Sequence, residues 1–299
     1  MSRPIHEALW HWSSDFDADA IIAAFSKQGL QGDPAYVTNF IGTRIEPAVF
    51  PPVLSTMLGH VEPPPAPGNW HADIAEWASA LFTVQHAAAR GDTYRIVELG
   101  CGWGCWMTNM GVAARGLGLN VDLVGVEGEA QHLANASRTL ELNGFTSDQF
   151  KLMHGVAGPK IGYAIFPKAG IADAGWGGEA VFYPEQSVLS AARQSRDVQV
   201  LDCMTLEQLS NGKLIDLLHI DIQGAEVDFI TGNFEQIEAL VRYVLIGTHS
   251  REIEGALIQH FLAAGWRLKT ERPAICTIVS GRLRTEIDGV QLWANPRTT

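Results

Sequence analysis

The spacing of apolar positions changes near residue 90. Between Asp15 and Lys27 the spacing is helical, with Phe16, Ile21, Ile22 and Phe25 apolar. The stretch WHADIAEWASALFTVQHAAAR (70–90) repeats that period through Ile74, Trp77, Leu81 and Val84 and predicts a long helix. Between them lies a loop-rich segment with one short strand predicted at Tyr36 to Ile45. It ends in VEPPPAPGN (Val61 to Asn69), whose prolines remove backbone donors and fix φ. That run predicts a hinge. Residues 1–68 then form a helical or irregular extension, suited to a lid or an oligomer contact, and 69–299 one larger domain.

Beyond it, short apolar runs alternate with helical ones. Strands are predicted at Arg95–Leu99, VDLVGVE, FKLMHGVA, VQVLDC, LIDLLHID, VRYVLIGTH, WRLKTER and GVQLWAN. Helices fall at Trp103–Arg115, Ala130–Asn143 and Arg251–Ala264, and the glycine-punctuated stretch 158–184 reads as a hairpin insertion. LIDLLHID reads as a largely continuous apolar strand, as expected when both faces are covered. The alternation predicts an α/β fold with a mostly parallel sheet and helices on both faces.

Composition adds limits. The chain has 299 residues and a net charge of -12, with no dense cluster of lysine and arginine. It is a poor match for a nucleic-acid backbone. No apolar run reaches membrane-spanning length, and the first residues do not read as a signal peptide; a cytoplasmic protein is the expectation. Cys101, Cys105, Cys203 and Cys276 form no C-x-x-C pair. Cys101 and Cys105 read as small residues packed beside a turn, with metal or redox roles the alternative, and no metal site is expected.

Candidate chemistry concentrates in VELGCGWGCW (97–106), where Gly100, Gly102 and Gly104 follow a strand and precede a helix. A dinucleotide fingerprint places its last glycine where this chain has Cys105, and the Gly-Lys-Ser/Thr of a phosphate loop is absent. Glu98 beside the turn would repel a pyrophosphate and favour a sulfonium. Glu127, at the end of the next strand, stands where an acid accepts hydrogen bonds from ribose hydroxyls. Together these favour S-adenosylmethionine over NAD. Trp103, Gly128, Gly155 and Val156, at the same strand ends, join the cofactor set.

A second motif, IDLLHIDIQGAE (215–226), together with VELGCGWG, resembles the FkbM-type family of S-adenosylmethionine-dependent methyltransferases. Asp216, Leu217, Leu218, Ile220, Asp221, Gly224 and Glu226 match its D-L-L-K-I-D-x-E-G-x-E pattern, while His219 and Gln223 depart from it. The resemblance spans about 90–265. It implies a Rossmann-like class I methyltransferase sheet, S-adenosyl-L-methionine as cofactor, and transfer to a hydroxyl of a saccharide or small natural product. Nitrogen acceptors such as a peptide side chain, or a nucleoside-binding regulatory protein without catalysis, are the alternatives.

Methyl transfer requires alignment of acceptor and donor and a group to take the acceptor's proton. Asp221 ends the predicted fourth strand and is expected to touch cofactor and acceptor; His249 ends the fifth. His249 is assigned as general base and Asp221 as the residue orienting it, the alternative being that His249 caps the following helix. His219 reads as a hydrogen-bonded core histidine and Glu226 as a helix-start charge. Trp70 and His71 suit a lid, Trp77 the core, and Trp176 the acceptor pocket.

Overall fold

The computed structural model describes residues 5–91, 93–168 and 177–299. Seven strands carry the main sheet: β1 (Thr93–Leu99), β2 (Asn120–Glu127), β3 (Phe150–His154), β4 (Ile215–Ile220), β5 (Val241–Thr248), β6 (Arg267–Arg272) and β7 (Gly289–Ala294). They lie in the order β3-β2-β1-β4-β5-β7-β6, and the two-residue strand Ser13–Ser14 pairs beyond β6. β3, β2, β1, β4 and β5 are parallel, whereas β7 runs antiparallel to both of its neighbours. Every residue of β4 and of β7 is buried, as the apolar residues on both faces of β4 anticipate.

The principal helices are α1 (Ala18–Phe25), α2 (Ile74–Arg90), α3 (Cys105–Gly116), α4 (Ala130–Leu142), α5 (Glu226–Gly232) and α6 (Arg251–Ala263). One apolar cluster joins α1, α2, α3 and one sheet face; a second joins α5, α6 and the other. Because β1 pairs with β2 on one side and β4 on the other, the chain leaves β1 and β4 in opposite directions. Their carboxyl ends open the crevice in which such sheets bind ligands. At the opposite end of β4, Asp216 accepts from Arg90 (2.6 Å) and from the backbone N–H of Arg95 (2.9 Å). That motif residue therefore ties the sheet together far from the crevice.

The structure redraws several expected elements. FKLMHGVA is not one strand: β3 stops at His154, and Val156–Ala157 pairs with Val198–Met204 in a separate sheet. A Cβ at Gly155 would lie 2.9 Å from the Asp202 carbonyl oxygen, so the chain bends there without a side chain. VQVLDC accordingly belongs to that second sheet, ordered Val156–Ala157, Val198–Met204, Gly162–Pro167, Val181–Phe182. The hairpin expected in 158–184 is the pair Gly162–Pro167 and Val181–Phe182. The strand expected at Tyr36–Ile45 is instead two two-residue strands folded back on each other, because Asn39 Oδ1 takes the N–H groups of Ile41 and Thr43 and makes the turn. The long helix begins at Ile74, where Asp73 caps it by accepting from Glu76 N. A hairpin of Ile275–Val279 and Arg282–Ile287 had no counterpart in the sequence reading.

Candidate active site

Gly100, Gly102 and Gly104 all have positive φ (71°, 52° and 77°), which explains a glycine at every second position. Gly100 is the most constrained. A Cβ there would lie 1.9 Å from the carbonyl oxygen of Asp221, so the turn lies directly against the end of β4. Gly104 precedes α3 and offers no side-chain cap. Glu98 fills that role across the turn: its two carboxylate oxygens accept from Trp106 N (3.1 Å) and Met107 N (2.8 Å). Burial pushes this carboxyl up to about 7, against those two backbone bonds. Its local work is thus to hold α3 onto the turn, a role that charge reasoning on the sequence did not reveal.

Two cavities flank the turn. The smaller, of about 120 Å³, is lined by Gly100, Gly102, Glu127, Gly128, Gly155, Val156 and Asp221, with Phe166 and Phe182 from the second sheet. Seven of the expected cofactor residues thus converge on one space. Glu127, 8% exposed, accepts from Gly102 N (2.8 Å) and Glu129 N (2.7 Å), which fixes its carboxylate at the cavity wall. The Phe166 ring lies so close to Gly128 that a Cβ there would come within 2.8 Å of it. Phe166 and Phe182 were missed from sequence because they reach the crevice only through the second sheet.

The larger cavity, of about 580 Å³, shares Gly100, Gly102 and Asp221 with the first and adds Glu98 and Trp103. Gly104 is buried at the start of α3 and lines neither space. Trp70 and His71 do line the larger cavity, with Trp106 and His219. The Trp70 and Trp103 rings stack with centroids 5.8 Å apart, and His71 stands edge-on to Trp103 at 5.8 Å. Trp77 lies behind them, fully buried against Trp106. Trp176 lies outside the described residues.

Asp221 and His249 do meet: Oδ1 of the aspartate is 3.1 Å from Nε2 of the ring. The other ring nitrogen, Nδ1, is 2.8 Å from Glu226 Oε1, and Asp288 Oδ2 lies 3.7 Å from Nε2. Burial alone would lower this histidine; the carboxylates of Asp221 and Glu226 override it and hold the ring up to about 11. The two carboxylates favour the charged form of the His249 ring over the free base that a general-base role needs. Nδ1 donates to Glu226, while Nε2 stands in ion-pair range of Asp221 without a hydrogen bond. Nor does the ring cap α6, which Ser250 caps by accepting from Ile253 N. Asp221 is held below the ordinary carboxylate range: burial would raise it, but His249 outweighs burial. Its side chain is 44% exposed to the crevice.

Glu226 is not merely a helix-start charge. It is fully buried, and its Oε1 also accepts from Gly224 N at 3.1 Å. His219 contacts Glu76 at 3.3 Å through Nε2, while its buried Nδ1 has no partner. The thiols of Cys101 and Cys105 are buried and pushed well above their ordinary value by burial, then by Glu98. Among the described residues, no group of three or more His, Cys, Asp or Glu side chains is placed to hold a metal ion. No helix among them is long and apolar enough to cross a membrane.

A parallel sheet with a reversed seventh strand and a glycine turn at its switch point defines a class I methyltransferase fold. A protein of Jannaschia sp. (strain CCS1) named "Putative methyltransferase" is 49% identical over 272 residues, covering 91% of this chain and 96% of its own. The chain belongs to that methyltransferase family. No family model matches it. Similar solved structures include methyltransferase FkbM from Methylobacillus flagellatus KT, with TM-score 0.44 and 11% identity over 75% of this chain. This chain spans 55% of that one. Another is the C-terminal domain of precorrin-6Y C5,15-methyltransferase from Rhodobacter capsulatus, with TM-score 0.39 and 14% identity over 77% of this chain and 91% of that one.

Proposed function

We propose that the protein is an FkbM-type enzyme that transfers a methyl group from S-adenosylmethionine to a hydroxyl of a saccharide or small natural product. The observation that supports this reading best is the meeting of two cavities at Gly100, Gly102 and Asp221. The smaller carries the glycines and Glu127 that a nucleoside would meet, and the larger has room for an acceptor. Glu127 would hold the ribose hydroxyls, Gly128, Gly155 and Val156 the purine side, and Gly100, Gly102 and Trp103 the remainder. The donor supplies a methyl group already activated by its sulfonium.

The chain's own work is then alignment and proton removal. Asp221 faces both cavities and is the group placed to accept an acceptor hydroxyl. Its low proton affinity suffices, because an oxygen that is acquiring a methyl group becomes strongly acidic as the new bond forms. His249, charged and locked by Glu226, fixes the Asp221 carboxylate and holds it ionised. A nitrogen acceptor is the second reading, favoured by the carboxylates Glu76, Glu98, Asp221 and Asp288 around the larger cavity. Asp221→Asn should lower the rate of S-adenosylhomocysteine release by about 10²–10⁴-fold. A change smaller than threefold would remove Asp221 from the chemistry.

A further inference from the structure

The larger cavity has a chemistry that methyl donation does not use up. Its aromatic wall is Trp70 stacked on Trp103, with His71 edge-on and Trp106 beyond. Burial lowers the His71 ring to about 3, so it stays neutral, and neither of its nitrogens has a partner. Around this wall stand Glu76 on α2, Glu98, Asp221, and Asp288 just before β7. Glu76 contacts His219 Nε2 at 3.3 Å, and the oxygens of Glu98 cap α3. Burial raises the Glu76, Glu98 and Asp288 carboxyls. Among the described residues that line the cavity, the one guanidinium, Arg272, is already bound to the Asp73 carboxylate and to the carbonyls of Pro273 and Asp288. His219, 2% exposed, presents an Nδ1 without a partner at the same cavity.

A sulfonium donor brings one net positive charge. Glu76 and Asp288 belong neither to the glycine turn nor to the strand ends that would hold it. Aromatic faces attract cations through their quadrupole, and carboxylates shielded from water attract them more strongly than exposed ones. We infer that the acceptor carries a positively charged nitrogen, seated between the Trp70–Trp103 wall and the Glu76 carboxylate, while its methyl-accepting hydroxyl faces Asp221. The substrate class is an amino sugar or an amino alcohol. This inference rests on the reading that the smaller cavity holds the methyl donor.

The test is calorimetric titration of the protein saturated with S-adenosylhomocysteine, using choline and 3,3-dimethylbutan-1-ol. These probes have nearly the same shape, and only choline is charged. Choline should bind at least about tenfold more tightly. Trp70→Leu and Glu76→Gln should each weaken choline at least fivefold, roughly the loss of one cation–π or ionic contact, without changing affinity for S-adenosylhomocysteine. Equal affinity for the two probes, no binding of either, or choline competing with S-adenosylhomocysteine would overturn the inference. The comparison of the two probes on the unaltered protein does not depend on how the variants fold. If S-adenosylhomocysteine itself fails to bind, the donor reading falls, and the probe comparison is then made on the free protein, so the two failures stay distinct.

Discussion

His249 shows how much a residue's chemistry depends on neighbours that the sequence does not place beside it. A histidine at a strand end suggests a base, because its ordinary pKa lies near neutrality. Two carboxylates reverse that role, and one of them, Glu226, comes from the start of α5, 23 residues earlier in the chain. Glu226→Gln should therefore lower turnover about tenfold or more while leaving donor affinity within twofold, since it removes the charge that locks the ring. Unchanged turnover would make Glu226 purely structural. The same pair gives a pH signature. The ring holds its proton up to about 11 in the folded chain and to 6.5 in the unfolded one. The stabilisation from that difference is full below 6.5 and is lost as pH rises toward 11. Denaturation midpoints measured across that window should fall more steeply for the native protein than for His249→Gln, and parallel slopes would contradict the charged-ring account.

At the scale of elements, the strand–turn–helix unit around Gly100 was readable because its features are local. An apolar strand, alternate glycines and a helical period all lie within about 25 residues of sequence. The cap of α3 was not readable as a cap, because Glu98 acts from the far side of the turn, seven residues before the helix begins. The break after β3 was also hidden: Val156–Ala157 has the apolar character of a strand but takes its partner from residues 203–204. Asp288 and Arg272 could not be assigned to the site, since β6 and β7 reach it only through sheet order. The turn itself allows a sharp test. Gly100→Ala adds a Cβ 1.9 Å from the Asp221 carbonyl at a φ of +71°. The backbone strain alone costs about 1–3 kcal/mol. Urea unfolding should show at least that loss and titration should show no donor binding; a stable variant that still binds S-adenosylhomocysteine would mean the turn is looser than described.

For the molecule as a whole, the expected extension proves to be packed in the same apolar cluster as the sheet helices. Ile21, Ile22 and Phe25 of α1 are buried there together with Trp77 and Leu81 of α2. Asn39 Nδ2 donates to Asn109 on α3 at 2.8 Å, which links the early hairpin to the helix behind the glycine turn. Ile22→Ala should then cost about 2–5 kcal/mol in chemical denaturation, as for any buried large-to-small change. A cost below half a kcal/mol would show that α1 can detach without consequence. The hinge-like proline run had obscured this packing, because it marks an irregular backbone but carries no information on what lies against it.

The glycine crevice should hold a sulfonium nucleoside rather than a dinucleotide. Calorimetric titration of the protein with S-adenosylhomocysteine and, separately, with NAD tests this most directly. One site for S-adenosylhomocysteine is expected, abolished by Gly100→Ala, and no heat from NAD. Saturable binding of NAD with none of S-adenosylhomocysteine would contradict it.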